Sequence, residues 1–145
     1  MKVEAIKKEL LAEHNTLRTL LELVTDLAEK VATHDLSQEP ALREAAHNLS
    51  DALVHHMVTE EKHLADLSRG GSPHWARHLD EFKHHHGHQR ELLAHFLERV
   101  DNIHASRRLS EVVQAMATAV LLDIEHEEMA LFAPQTAGLT SVQGA

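Results

Sequence analysis

Apolar residues recur at spacings of three and four along most of the chain, and three short stretches break the recurrence. The first run places Ile6, Leu10, Leu17, Leu21, Val24, Ala28 and Val31 on one stripe, with His14 in its middle. That spacing predicts an amphipathic helix over residues 3–33. Residues 34–40 interrupt it. Ser37 there can cap a new helix, and Pro40 is tolerated only in a first turn. A second stripe, Leu42, Ala46, Leu49 and Leu53, continues through His56, Glu60 and His63 to Leu67, so its apolar face turns polar half-way along. Arg69-Gly70-Gly71 ends this helix near residue 68, and Ser72-Pro73 opens the next. The third stripe runs Trp75, Leu79, Phe82, His86, Gln89, Leu93, Phe96, Val100 and Ile103, to about residue 104. A turn at 105–108 follows. The fourth helix is expected to start near Leu109 or Ser110. It carries Val113, Met116 with Ala117, Val120, Asp123 with Ile124, Glu127 and Leu131, and Pro134 stops it. No period-two alternation competes. The predicted fold is all-α, an up-down-up-down antiparallel four-helix bundle. It forms one domain over residues 1–134, followed by a loose tail over 135–145.

Composition narrows the chemistry. The 145 residues include no cysteine, which removes disulfides, thiolate zinc sites, iron–sulfur clusters and cysteine nucleophiles. The formal net charge of -9 argues against nucleic acid and anionic membranes as partners. No run approaches the roughly 20 apolar residues of a membrane span, and the first residues read as a helix rather than a leader peptide. A cytoplasmic protein is expected, as a monomer or weak dimer. The outlying number is histidine, 15 in 145.

A single histidine in an apolar stripe is usually a satisfied core residue, and a single His-xxx-Glu is usually a solvated pair. Here the polar positions coincide. His56 and Glu60 stack one turn apart on one helix face. With the first turn near residue 36, His14 lies level with residue 58. With the others near 70 and 107, His86 falls close to the same level and to Glu127. His14, His56, Glu60, His86, Asp123 and Glu127 therefore share one slab of the interior. Unpaired, such groups would cost roughly 1–3 kcal/mol each, and more where charged. A cation satisfies the imidazoles and neutralises the carboxylates together. Two iron ions would do so, with Glu60 and Glu127 bridging and His14, His56, His86 and Asp123 as terminal ligands, the first two on one side and the last two on the other, although spacing alone does not assign each residue to an iron. A donor set of nitrogen and oxygen suits iron or manganese, with zinc a further option. The chain also echoes itself. Glu13-His14 with Arg18 and Leu20-Leu21 matches His85-His86 with Arg90 and Leu92-Leu93, and His56-xxx-Glu60-Glu61 matches Asp123-xxx-Glu127-Glu128. Alternatives stand at several positions. His84 and His88 form an HxxxH pair that competes with His86. Glu60-xx-His63 and Asp123-xx-His126 have the spacing of ferritin-like di-iron bundles, so His63 and His126 are alternative ligands.

These residues resemble the hemerythrin-like (HHE cation-binding) family over essentially the whole chain up to Pro134. That family's pattern is a histidine on helix 1, HxxxE on helix 2, a histidine on helix 3 and HxxxE on helix 4. Here it reads His14, His56-xxx-Glu60, His86 and Asp123-xxx-Glu127. The resemblance implies a four-helix bundle holding a non-heme diiron centre, oxo- or hydroxo-bridged. It also implies handling of dioxygen, nitric oxide, peroxide or iron. Asp123 departs from the pattern, which has histidine there. Either Asp123 is itself a ligand, giving a more anionic site suited to activating O2 or peroxide, or His126 replaces the imidazole, or the site is half-occupied or mononuclear. Two functions follow from the resemblance. One is an oxidase, oxygenase or peroxidase working with a redox partner or a small-molecule substrate. The other is a non-catalytic protein for O2, NO or iron sensing, storage or delivery. There is no tyrosine to relay an electron, and Trp75 is the only strong aromatic candidate.

Overall fold

A computed structural model describes residues 2–132. They form four long helices, α1 (Lys2–Ala32), α2 (Glu39–Ser68), α3 (Pro73–Asn102) and α4 (Ser106–Phe132), with one short 3-10 turn, Leu36–Gln38, between the first two. At about 1.5 Å per residue each helix is about 40–46 Å long. The connections are short, so consecutive helices run antiparallel. α1 packs closely on α2 and α4, and α2 on α3, while α3 touches α4 only sparsely. This is the expected bundle. The expected tail over 135–145 and the stop at Pro134 lie outside the described residues.

The turns show why the helices end where they do. At the end of α1 the Asp35 N–H donates to the Lys30 carbonyl and the His34 N–H to that of Val31, at 3.0 and 3.2 Å. His34 takes φ 74° to close this motif, at a position where glycine is usual. Ser37 does not cap α2. Its hydroxyl turns to Asp35 instead, 2.5 Å away, and Gln38 stands at the cap without a side-chain bond. Gly71, at φ 87°, reverses the chain before α3, and Pro73 opens that helix as expected. The last turn lies earlier than its sequence suggests. Ile103 goes extended and ends α3, and α4 starts at Ser106 rather than at 109 or 110. Arg107 and Arg108 are good helix formers with no reason to stay outside. The Leu109 N–H closes the new turn on Ala105, and Ser106 donates to Glu39 on α2 at 2.8 Å. Arg43 fastens the same corner, donating to the Val100 and Ile103 carbonyls and to Glu39.

The apolar core is in two pieces. The larger includes Leu17, Val24, Leu42, Leu49, Phe96 and Val113. The smaller gathers Ile6, Leu10, Leu64, Leu67, Trp75, Phe82 and Leu131 near the α2–α3 turn. Fully burying each large apolar side chain contributes about 1.5–3 kcal/mol. Between the two pieces the interior is polar. His63 does not reach it. Leu64 takes the inward position, fully buried, and His63 lies at the flank 2.8 Å from Glu9. No described helix is long and apolar enough to cross a membrane.

Candidate metal centre

The polar slab is built from one or two residues of each helix. His14 comes from α1, His56 and Glu60 from α2, His86 from α3 and Glu127 from α4, and all five are buried, from 0 to 8% exposed. Each of His14, His56, Glu60 and Glu127 offers a donor atom within 4.8 Å of the others. The His14 and His56 Nε2 atoms are 3.2 Å apart. The Glu127 Oε1 lies 3.6 and 3.4 Å from them, and the Glu60 Oε2 lies 3.9 and 3.4 Å away. The His86 Nε2 is 2.9 Å from the other Glu60 oxygen. Yet neither Glu60 oxygen accepts a hydrogen bond of good geometry, although both are buried. A buried carboxylate without donors, ringed by imidazole nitrogens that point at it, is costly for a polypeptide alone. It suits a cation with nitrogen and oxygen ligands.

The other face of each imidazole is equally determined. The Nδ1 of His14 lies 2.9 Å from Glu128, that of His56 2.9 Å from Glu13, and that of His86 3.1 Å from Glu61. A ring that donates its Nδ1–H outward presents the Nε2 lone pair inward, which is the tautomer a metal requires. Two of these outer carboxylates are held by arginine. Arg18 donates to both Glu128 oxygens at 2.9 and 2.6 Å, and Arg90 reaches Glu61 at 3.4 Å. The arrangement repeats across the bundle. In each Glu-Glu pair the first residue points inward. The second fixes the histidine of the neighbouring helix, and an arginine four residues past that histidine fixes the second glutamate.

Without a cation, protons take its place. Burial would push the His56 imidazolium down, but Glu127, Glu60 and Glu13 outweigh it and hold the group up at about 10. His86 is likewise raised, its burial outweighed by Glu60 and Glu61. Burial would raise Glu127, yet His14 and His56 hold its carboxyl well below the usual range. Glu128 is lowered, chiefly by Arg18.

The remaining histidines and Asp123 stand apart from this cluster. The Asp123 side chain is 31% exposed and lies 3.7 Å from the His85 Nε2. It accepts a bond from the Gln89 amide at 2.5 Å. His126, His84 and His88 face outward and are exposed. Sequence reasoning did not assign roles to Glu13, Glu61, Glu128, Arg18, Arg90 or Gln89. The signal for most of them was present in the echo, since His-xxx-Arg and Glu-Glu each occur twice.

A family model described as Hemerythrin HHE cation binding domain matches residues 5–134. No curated protein matches the chain, and no solved structure does.

Proposed function

The chain belongs to the hemerythrin HHE cation-binding domain family, and from that premise we propose that it holds two iron ions in the polar slab and binds or activates dioxygen or a related small oxidant, peroxide or NO. The observation that carries this reading is the orientation of the three histidines. Their Nε2 atoms face a buried Glu60 that no donor satisfies, and their Nδ1 atoms are each tied to an outer carboxylate. His14, His56, Glu60, His86 and Glu127 hold the metal, and Asp123 joins them only by leaving its bond to Gln89 and turning inward. Bound iron supplies reversible electron transfer and a Lewis-acidic position for a small oxidant.

The chain's own residues set the conditions for that chemistry. The two apolar clusters close the slab above and below, and His14 and Glu60 are fully buried between them. The outer glutamates raise the basicity of the imidazoles. Asp123 stands where the first half of the repeat has His56; turned inward it would make the donor set more anionic, which favours oxidised iron and hence activation over simple carriage.

Metal analysis of the purified chain, with absorption spectra taken before and after exposure of the reduced protein to air, tests the reading. Two irons per chain, oxidised by air with turnover of an added reductant, are expected. Stable, reversible binding without turnover would make the protein a carrier, sensor or store. Manganese would replace iron but keep a redox reading, and zinc, which has no redox chemistry, would remove it. Glu60→Ala and His14→Ala should each abolish stoichiometric metal, and metal content unchanged in both would refute the site.

A further inference from the structure

The α3–α4 seam is open where its counterpart, the α1–α2 seam, is closed. The repeated words align the two halves of the chain, so positions in one half have partners in the other. Leu17 and Leu27 are buried on α1. Their counterparts on α3 are Gln89, half-buried, and Arg99, exposed. Leu49 of α2 corresponds to Met116 of α4, and His56 to Asp123. Where leucines fill the first seam, the second holds a cavity of about 540 Å³ walled by α2, α3 and α4. That volume is ordinary for a small-molecule site.

The cavity is polar at both ends and apolar between. Its inner end is formed by Gln89 and Asp123 beside His56 and Glu127, so it is continuous with the polar slab. Leu92, Phe96, Val112, Met116 and Val120 line its middle. Its outer end carries Arg99 and Arg108. Arg108 lies 3.6 Å from Glu111, and Arg99 has no side-chain partner among the described residues. Between Glu111 and Asp123 the axis of α4 rises about 18 Å. Glu111 lines the same end, so a chain of net charge -9 presents two guanidinium groups against one carboxylate, a net positive charge, at the outer end of an apolar cavity.

We propose that this cavity binds a free organic anion with an extended apolar body, of the fatty-acid class. The anionic head sits at Arg99 and Arg108, the body lies along Phe96 and Met116, and the far end rests against the Gln89–Asp123 pair. The binding stands on the cavity alone.

Calorimetric titration of the full chain with dodecanoate, below its micelle concentration, tests the site. One dodecanoate per chain is expected, with dodecylammonium at least about tenfold weaker, as a charged head on guanidinium implies. Arg99→Ala with Arg108→Ala should weaken dodecanoate by about tenfold and leave dodecanol unchanged. Ala119→Trp, at an exposed position on the cavity wall, should block binding while helicity and metal content stay as they are. Ala115→Trp, also exposed on that wall, repeats the test if the first variant loses helicity. Equal affinity for the cationic and anionic amphiphiles overturns the proposal, as does undiminished binding in the tryptophan variant. A stable dimer that excludes dodecanoate also overturns it, making a second copy of the chain the occupant. Metal present without dodecanoate binding refutes this inference alone, and dodecanoate binding without metal refutes the iron reading alone.

Discussion

Glu60 and the three outer glutamates divide the labour of the slab. Glu60 is buried without donors, whereas Glu13, Glu61 and Glu128 stay partly exposed and orient the imidazoles. Removing an outer carboxylate leaves every inner donor in place but frees a ring to turn. Glu128→Gln and Glu61→Gln should therefore each weaken metal affinity by about 10–100-fold without abolishing it, as read by competition with a chelator. Protonation acts on the same residues. His56 is held up at about 10 from an ordinary 6.5. Its contribution to the stability of the metal-free chain is full below 6.5 and lost as pH rises through about 10. Glu127, Glu128 and Glu39 are held below an ordinary 4.5. Their contribution is present above that value and lost as pH falls through their lowered pKa values. Urea titrations of the metal-free chain should accordingly weaken on both sides of a window from about pH 4.5 to 6.5. Metal must displace the His56 proton, so apparent metal affinity should rise by up to about tenfold per pH unit between 7 and 9. A flat profile would show that this histidine is not protonated in the free chain.

At the scale of elements, the helix ends carry the measurable energies. His34 closes the end of α1 from the left-handed region, which costs a side-chain-bearing residue about 1–2 kcal/mol. Part of that returns as backbone entropy if glycine replaces it. His34→Gly should stabilise the chain by about 0.5 kcal/mol in denaturant titration. Arg43 is the opposite case, because it donates to two carbonyls at the end of α3 and to Glu39 at the start of α2. Arg43→Ala should destabilise by about 1–2 kcal/mol, its partial exposure to water tempering the loss. Both results follow from local geometry, and neither substitution should alter metal content, since both residues lie at the opposite end from the smaller apolar cluster and away from the slab.

For the whole molecule, the defining feature is an apolar core cut in two by ionisable groups. Each cluster favours folding, and the slab between them opposes it until its charges are neutralised. A bound cation couples the four helices that supply its ligands, so metal removal should lower the thermal midpoint. The stabilisation should grow with free metal and reach about 2.7 kcal/mol at a hundredfold excess over the dissociation constant. Calorimetric scans with chelator and with graded metal would measure it, and an unchanged midpoint would mean that no ion occupies the slab.

The stripes of three and four, with Gly70-Gly71 and Pro73, determined the four helices, their order and the antiparallel bundle, because periodicity and turn chemistry are local properties of the chain. The same periodicity brought His14, His56, Glu60, His86 and Glu127 to one depth, since antiparallel helices joined by short turns leave little freedom of register. Spacing could not decide which way a side chain points when its position lies on the edge of a stripe. Asp123 and His63 belong to that class. Packing gave the inward places to Ile124 and Leu64, turned Asp123 towards Gln89, and left His63 with Glu9. The outer glutamates and their arginines were visible as repeated words, but their roles were not, because each fixes a residue on a different helix. The open α3–α4 seam is likewise a tertiary outcome. Gln89, Arg99 and Met116 stand where the first half has leucines, and only when the helices are assembled does that exchange become a cavity.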